Sequence, residues 1–590
     1  MKILALFAVT AAAVCAQHQQ VGSIKQQSRG PCTVNSAGIQ GNVEVTIDCP
    51  GVDARAMRFF NERLRKQSGQ IESLTEKMAG AEEWRKKYEE LAERLANAGI
   101  DAAASHKAEE LVREGRLDEA EEVLDDLIKN DEQELDRLAR DHFNRGQLYE
   151  LKFEPLKALS DYAKAYEYES HNTDYALGYA TLLLFSQHDY SKSEGIFTGL
   201  LARLRGAASP NLAVYRPEVA AILNILGILY SGTQRLREAE SAYQEALDTY
   251  RHLAQTSPAR YQPDAAMTLN NLAGIYRDTQ RLKEAEGAYQ EALTIDRELA
   301  KTNPAAYQFD VATTLNNLGI LYNVTHKLKE AEAAYQEALA TYQQLAKTNP
   351  PAYQPYVAVA LFNLGTLYSD TQRPTEAEGA YQEVLATYRQ LAKANPAAYQ
   401  PRVATTLHNL GTLYSGTRKM KEAEVAYQEA LAIRRELAKT SPAAYQPDVA
   451  GTLHNLGNLY IDTQRPIEAE VAYQEALDTY RQLATANPAV YQRYVAGTLD
   501  DLAVLHLQAG NSQQAKSEAA EALAIHRELS KADPDAYVND LAKSLYIKAL
   551  VLRRTGEDRS ESCSAAKEAV ALAYDPELRR AAIALAAGCE

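Results

Sequence analysis

The chain has 590 residues and a formal charge of −16, from 63 Lys and Arg against 79 Asp and Glu. Because nucleic-acid binding relies on clustered Lys and Arg that displace counterions from phosphates, this acidic balance argues against a nucleic-acid partner. Hydrophobic residues make up 46% and charged residues 24%, a composition typical of folded globular proteins. The aromatic residues are uneven, with 36 Tyr, 9 Phe and 1 Trp, which indicates one short pattern repeated many times.

The chain begins with a short apolar segment. An apolar run from Ile3 to Ala16 follows Lys2 and ends in small residues, which predicts a secretory signal peptide over residues 1–16. The run is too short for a transmembrane helix, which needs about 20 residues. We therefore expect an exported protein, periplasmic or secreted, without a transmembrane segment. The alternative is a lipid anchor at Cys15, although the residues before this cysteine fit a lipidation signal poorly.

Export would place the other four cysteines in an oxidising compartment, where an even number favours disulfides. We expect Cys32 to pair with Cys49 and Cys563 to pair with Cys589, because neighbours in sequence are the easiest to join. Four free thiols are the alternative if the chain is not exported. The sequence contains no Cys-x-x-Cys motif and no His-rich cluster, so no metal site is predicted.

Two segments precede the repetitive part of the chain. Residues 17–50 place Val43, Val45 and Ile47 in alternation with polar residues, which predicts a strand within a small disulfide-stapled β segment. Residues 51–98 contain no Pro and place apolar residues mostly three, four or seven apart, which predicts a long amphipathic helix. An oligomerising coiled coil and a helix packed against the next domain both fit this pattern.

The main feature of the sequence is an internal period of 46 residues. The string Tyr-Gln-Glu-x-Leu begins at six positions 46 residues apart, from Tyr243 to Tyr473. A Pro recurs at the same interval from Pro258 to Pro534. Self-similarity at a fixed period is the signature of a repeat architecture.

Each copy contains two segments with helical periodicity. Apolar residues are three or four apart between Val311 and Tyr322, and again between Ala331 and Leu345. The pattern predicts a helix of about 16 residues, a turn, a helix of about 20 residues and a short Tyr-bearing linker. One such hairpin cannot cover its own apolar face, so neighbouring hairpins should stack side by side.

Five positions in each copy resemble the tetratricopeptide repeat. In the copy at the centre of the array they hold a small residue, Tyr, Ala, an aromatic residue and Ala: Gly319, Tyr322, Ala331, Tyr335 and Ala338. The small residue should let the Tyr335 ring fill the gap between hairpins. The long copies are similar to the repeats of kinesin light chain, whereas residues 138–171 match the shorter 34-residue form. The resemblance implies an all-α superhelical solenoid of a bacterial exported type.

The predicted organisation has six parts. They are a signal peptide over 1–16, a stapled β segment over 17–50, a long helix over 51–98, degenerate and 34-residue repeats over 101–208, 46-residue repeats over 211–556, and capping helices over 557–590. A cap is expected because the last hairpin would otherwise expose an apolar face.

The resemblance also implies where a ligand would bind, since the first helix of each pair lines the concave face in this family. Two neighbouring positions on that helix carry Asn or His in most copies: Asn270, Asn271, Asn316, Asn317, Asn363, His408, Asn409, His454 and Asn455. Asn offers both a donor and an acceptor, which suits the backbone of an extended peptide. Two alternatives stay open, namely that duplication simply copied these residues, or that they bond to the neighbouring repeat.

The carboxylate-clamp branch of the family binds acidic C-terminal peptides through Lys and Arg, and the long copies have neither at these two positions. A neutral or basic segment therefore fits better than an acidic C-terminal peptide. The common hydrolase, nucleotide-binding and zinc-protease motifs are absent, so neither catalysis nor a cofactor is predicted.

We expect an exported scaffold or adaptor that binds protein segments in the concave groove, with residues 51–98 as a candidate homo-oligomerisation segment. The alternative is a passive structural component whose termini make the contacts.

Overall fold

The computed structural model describes residues 24–25, 33–39, 42–48, 57, 87, 89–92, 94–95, 102–130, 135–152, 154–206, 217–556 and 558–589. Three strands come first, β1 (Ile24–Lys25), β2 (Thr33–Ile39) and β3 (Asn42–Asp48), paired antiparallel in that order. The predicted signal peptide over 1–16, a lipid on Cys15 and the Cys32–Cys49 bond lie outside the described residues, as does most of the helix predicted over 51–98.

The few described positions of the 51–98 segment pack against the repeats that follow. Leu91 and Leu95 are buried, and Arg94 donates a hydrogen bond to Asp174 at 2.6 Å. Lys87 pairs with Glu150 at 2.8 Å. At these positions the segment makes the contacts expected of a helix that lies against the next domain.

The helices that follow are arranged in consecutive pairs. They are α1 (Ala102–Arg113), α2 (Leu117–Asn130), α3 (Leu135–Leu151), α4 (Pro155–Tyr168), α5 (Thr173–Leu182) with a π-helical turn (Leu183–Gln187), α6 (Tyr190–Gly206), α7 (Pro217–Gly232), α8 (Leu236–Thr256), α9 (Pro258–Asp278), α10 (Leu282–Thr302), α11 (Pro304–Val324), α12 (Leu328–Thr348), α13 (Pro350–Asp370), α14 (Pro374–Ala394), α15 (Pro396–Gly416), α16 (Met420–Thr440), α17 (Pro442–Asp462), α18 (Pro466–Ala486), α19 (Pro488–Gln508), α20 (Ser512–Ala532), α21 (Pro534–Thr555), α22 (Arg559–Leu572) and α23 (Pro576–Ala587).

The chain divides into two compact units. The first unit comprises Met1–Asp370 with Lys393–Asn395, and the second comprises Thr371–Ala392 with Pro396–Glu590. In each unit, successive helical hairpins pack against their neighbours, so the fold class is the predicted all-α repeat solenoid. None of the described helices has the length and apolar character needed to cross a membrane.

Helix α7 has the predicted 16 residues, whereas the first helices of the later long copies, from α9 to α21, are longer than predicted. Helix α11 begins at Pro304 and has 21 residues, so the expected Tyr-bearing linker is wrong and Tyr307 lies in its first turn. Pro is compatible with the first helical position, because the amide it lacks would have no partner there. The Asn303 side chain also accepts a hydrogen bond from the Ala306 amide and caps the helix.

The turn between the two helices has a fixed construction. In the copy that contains α11, the Thr325 hydroxyl donates to the Leu321 carbonyl at 3.0 Å. His326 takes a left-handed conformation with φ 55°, and the Lys327 amide bonds back to the Tyr322 carbonyl at 2.8 Å. This closure explains why Thr recurs at the turn without any binding role.

The predicted contact between the small residue and the aromatic ring is confirmed. A Cβ placed on Gly319 would lie 2.5 Å from the Cδ1 and Cε1 atoms of Tyr335. The Tyr335 ring is buried with Ala331, Leu364 and Leu367 in the core between hairpins of the first unit. Equivalent contacts occur at Gly146–Tyr162, Gly227–Tyr243, Gly411–Tyr427 and Gly457–Tyr473. Core packing thus accounts for many of the tyrosines.

Within each unit, ion pairs on the helix surfaces join neighbouring copies. In one set, the basic residue after the turn contacts a Glu 41 residues earlier: Arg281–Glu240, Lys327–Glu286 and Arg465–Glu424, at 2.5–2.7 Å. In the other, an Arg on the second helix contacts a Glu 40 residues later: Arg251–Glu291, Arg297–Glu337, Arg435–Glu475 and Arg481–Glu521, at 2.5–2.7 Å. Such exposed pairs contribute little stability individually, but their spacing repeats with the copies.

The chain ends in two short helices that cover the last hairpin. Ala565, Ala566 and Ala569 of α22 are buried with Ala582 of α23 and with apolar residues of α20 and α21. The predicted Cys563–Cys589 disulfide is confirmed, with an S–S distance of 2.01 Å, and it ties these two helices together.

Candidate functional site

The predicted Asn and His residues form a row on the first helices, at the junctions between copies. In the first unit, the Asn at the second position of one copy donates to the Asn at the first position of the copy before it. The bonds join Asn271 to Asn224 (3.4 Å), Asn317 to Asn270 (3.5 Å) and Asn363 to Asn316 (2.9 Å). We call this row, with its counterpart in the second unit, the polar ladder.

The second unit has a row of its own, with a different chemistry. The Asn455 amide and His408 Nε2 lie 3.2 Å apart, and His454 Nε2 lies 3.4 Å from Asp501 Oδ2. Asn409 lies half-buried on α15. Burial lowers the pKa of His408 to about 4, with the Arg434 charge adding to the effect, so His408 is neutral at pH 7.

The ladder residues are accessible although they bond to one another. Asn316 is buried, whereas the other eight predicted residues are half-buried. An amide side chain has two donor hydrogens and two acceptor lone pairs, and one bond to a neighbour leaves capacity for a ligand. The bonding between copies is the arrangement that the sequence left open as an alternative to peptide contact.

A second set of polar residues beside the ladder was not predicted. It consists of one residue on the second helix of each copy, which reaches one residue near the start of the next first helix. We call these the variable pairs: Tyr250 with Asp264, Asp296 with Asp310, Tyr342 with Tyr356, Tyr388 with Arg402, Arg434 with Asp448, Tyr480 with Tyr494, and His526 with Asp540.

The second-helix members of the variable pairs are buried close to the ladder. Asp296 Oδ2 accepts a hydrogen bond from Thr314 at 2.8 Å, and Thr314 accepts one from the ladder residue Asn270 at 2.8 Å. Arg434 Nη1 lies 3.1 Å from Nδ1 of the ladder residue His408. Aligning the copies and comparing equivalent positions would have revealed these residues. Their charge changes from copy to copy, whereas the residues that pack the hairpins recur.

The variable pairs of the first unit include an acidic region. Burial raises the pKa of Asp296 to about 6, and burial together with the neighbouring Asp296 raises the pKa of Asp310 to about 7. Burial also raises the pKa of Asp264 in the preceding pair. A cation placed here would favour the ionised carboxylates, so this region suits a basic ligand better than an acidic one.

Ser544, His526 and Asp500 lie together in the second unit, and their order differs from that of a hydrolase triad. The Ser544 hydroxyl donates to Asp500 Oδ2 at 2.6 Å, and His526 Nδ1 lies 2.7 Å from the same hydroxyl oxygen. When Asp500 is ionised, the single hydroxyl hydrogen goes to its carboxylate, and His526 is then the donor to Ser544. In a catalytic triad the His instead accepts the serine proton. This cluster therefore does not provide an activated nucleophile.

The described residues contain no group of three or more His, Cys, Asp or Glu side chains that could hold a metal ion.

Comparison with known proteins identifies the repeat. Family models of the tetratricopeptide repeat match residues 264–344, 310–390, 219–257, 403–442, 449–484 and 495–535. No curated protein matches the chain.

Solved structures of helical-repeat proteins are also similar. BtubC (BKLC) from P. vanneervenii is 24% identical over 43% of this chain and 92% of its own, with a TM-score of 0.36. Yeast Tom70 is 13% identical over 82% of this chain and 95% of its own, with a TM-score of 0.34. Pseudomonas aeruginosa PilF is 16% identical over 47% and 98%, with a TM-score of 0.32. These scores carry no functional argument.

Proposed function

Because the chain is a tetratricopeptide-repeat protein, we propose that it is a non-enzymatic scaffold that binds an extended protein segment along the polar ladder. The ladder supplies half-buried amides at regular intervals, which suit the repeating donors and acceptors of a peptide backbone. Asn within a helix is less favourable than Ala by about 0.5–0.7 kcal/mol. Binding provides a reason for retaining it in successive copies.

The observation that carries this proposal is the chemistry of the variable pairs. Residues needed for stacking recur in each copy, whereas the pairs beside the ladder run through Tyr, Asp, Arg and His. A segment laid along the ladder would meet a different side-chain environment at each copy. The backbone would be held by the amides, and the sequence of the segment would be selected by the pairs. A neutral or basic segment suits the acidic region better than an acidic C-terminal peptide or a nucleic acid.

A passive structural role is the second candidate, and the bonds within the ladder favour it. The Asn363 amide donates a hydrogen bond to Asn316 at 2.9 Å, so the amides also stabilise the junctions between copies. In that case contacts with other molecules would be made by the termini, including a homo-oligomer through residues 51–98.

A peptide-display selection on the intact protein separates the two candidates. Selected peptides are titrated against a variant carrying Asn317→Ala, Asn363→Ala and Asn409→Ala. The matched control carries Gln336→Ala, Gln382→Ala and Gln428→Ala, which removes three exposed amides that donate to a Tyr hydroxyl at 3.2–3.5 Å. Losing three hydrogen bonds of about 0.5–1.5 kcal/mol each should weaken binding by at least about tenfold in the Asn variant alone.

Equal affinity for both variants, with matching circular dichroism spectra, would refute binding along the ladder.

We also propose that the protein is exported to the periplasm or secreted. The Cys563–Cys589 bond supports this, because disulfides persist in oxidising compartments. Cell fractionation and N-terminal sequencing of the native protein test it: a start at Gln17 is expected, and a cytoplasmic protein that keeps Met1 would contradict it.

A further inference from the structure

A cavity of about 360 Å³ adjoins the ladder in the second unit. Gly451 and Gly497 line it, at a position that Thr313, Val359 and Thr405 occupy in other copies. A Cβ added to Gly497 would meet no atom within 4 Å, so the missing side chain leaves open space there. The volume lies within the range of about 300–1,000 Å³ that is typical of ligand sites.

The wall of this cavity contains a buried carboxylate oxygen that lacks a donor. Asp500 is fully buried, and its Oδ2 atom accepts the bond from Ser544. Its Oδ1 atom has no hydrogen-bond partner among the described residues. A buried acceptor without a donor is destabilising, and more so when the group is charged. Burial accordingly raises the pKa of Asp500 to about 7.

The cationic residues around the cavity already have other partners. Lys543 pairs with Asp501 at 3.1 Å, and Arg493 lies 3.8 Å from Asp540. The nearby His526 does not compensate Asp500 either, since burial lowers its pKa to about 4 and it is neutral at pH 7. The cavity is lined by three aspartates, Asp500, Asp501 and Asp540, and by two cations, Arg493 and Lys543, which disfavours an anionic ligand.

One wall of the cavity is an aromatic surface. The rings of Tyr480 and Tyr494 stack at 5.2 Å with an interplanar angle of 17°, and Tyr494 is 44% exposed. The guanidinium of Arg493 already lies 5.5 Å from the centre of the Tyr494 ring. A guanidinium is flat, stacks on aromatic rings and carries five donors, whereas an ammonium is a compact and strongly hydrated charge.

We propose that this cavity binds the side chain of an arginine in the partner segment, whose guanidinium donates to Asp500 and stacks on the Tyr480–Tyr494 surface. The inference rests on the proposed function, because the arginine belongs to a segment bound along the ladder. His408 and Asn455 of the ladder line the same cavity, so the backbone and the side chain of one segment could be held together.

Saturation-transfer NMR and calorimetry on the full chain test the proposal with Nα-acetyl-arginine methylamide. The citrulline analogue has the same shape without the charge, and the lysine analogue has the charge without the planar fork. Binding of the arginine compound should be at least about tenfold tighter than that of either analogue, the equivalent of about 1.4 kcal/mol. Equal binding of the arginine and citrulline compounds, or of the arginine and lysine compounds, would overturn the assignment.

Two variants and a matched control locate the site. Gly497→Val fills the cavity with the residue found at Val359, without removing a polar group, and Asp500→Asn removes the charge. Both should abolish or weaken binding at least about tenfold. The control Gly379→Val adds the same side chain to an exposed helix position where Val425 and Val471 occur in other copies, and binding should not change.

Unchanged affinity in Gly497→Val would refute the site even if Asp500→Asn fails to fold. The probe is a single residue, so its result is independent of the ladder. If binding of displayed peptides depends on the Asn residues of the ladder but the arginine probe does not bind, the proposed function stands and the arginine site in the cavity is refuted.

Discussion

The tight contact between Gly319 and Tyr335 predicts a specific cost for adding one methyl group. Gly319→Ala would place the new carbon 2.5 Å from two ring carbons, whereas carbon atoms normally approach to about 3.5–4.0 Å. The ring must therefore move by about 1 Å, and such overpacking costs about 1–3 kcal/mol. Replacing Gly by Ala within a helix contributes about 1 kcal/mol in the opposite direction.

Gly287→Ala is the matched control for this change. Gly287 lies on the exposed side of α10, and a Cβ there would meet nothing within 4 Å. This variant should gain about 1 kcal/mol from helix propensity alone. In a neighbouring copy Ala273 occurs opposite the buried Tyr289, so the repeat can accommodate an Ala and the cost at Gly319 should be near the lower limit. The two variants should differ by about 1–2 kcal/mol.

Hydrogen exchange read by mass spectrometry is the appropriate assay, because repeat arrays need not unfold in one cooperative step. Peptides from α11 and α12 should lose protection, or fail to gain it, in Gly319→Ala, whereas peptides from α10 should gain protection in Gly287→Ala. If Gly319→Ala raises protection as much as the control does, the ring is not held against the backbone and the packing argument is wrong.

Three further predictions concern the cap, a raised pKa and a buried ion pair. Replacing Cys563 and Cys589 by Ser opens a loop with a sequence separation of 26, which should lower stability by up to about 3.5 kcal/mol. Hydrogen-exchange protection should fall in α22 and α23 but not in α11. Equal protection of the unsubstituted protein with and without reductant would contradict this. Because the folded-state pKa of Asp310 is raised, the stability of the protein falls as pH rises from about 4 to about 7. Asp310→Asn should therefore raise the melting temperature more at pH 8 than at pH 5. An equal rise at both pH values would refute the raised pKa. Asp161 accepts hydrogen bonds from Arg145 and from a buried His, and these contacts lower its pKa. Asp161→Ala should therefore lower the stability of α3 and α4 by about 3–5 kcal/mol, and this loss should shrink as pH falls below 4. A loss of stability that does not depend on pH would contradict the argument.

The sequence alone was sufficient to predict the stacked hairpins, but not all residues of the candidate functional site. Because the 46-residue period runs without an insertion, it determines which residues contact each other. The Gly319–Tyr335 contact could therefore be predicted from spacing and residue size. The length of the first helix was not predicted, because a Pro can follow the end of one helix or occupy the first position of the next, and Pro304 does the latter. The ladder residues were identified, but not the bonds between them, since those depend on side-chain rotation.

The cavity could not have been predicted from the sequence, because it exists where two glycines have no side chain. Gly451 and Gly497 resemble other small residues in the sequence, and only the packing of neighbouring helices shows that their side is open. The variable pairs were missed for a related reason. Tyr480 and Tyr494 belong to different copies, and nothing in the spacing within one copy relates them.

The ion pairs that link residues 40 or 41 apart have a consequence for the number of copies. Each pair joins only adjacent copies, so Arg281 requires a Glu in the preceding copy and nothing farther away. Excising residues 304–349 would bring Arg373 to the position of Lys327 and Glu383 to the position of Glu337, so these ion pairs could form again. Duplication or loss of a whole module should therefore preserve the ion pairs at the junction, so the number of modules could change one at a time.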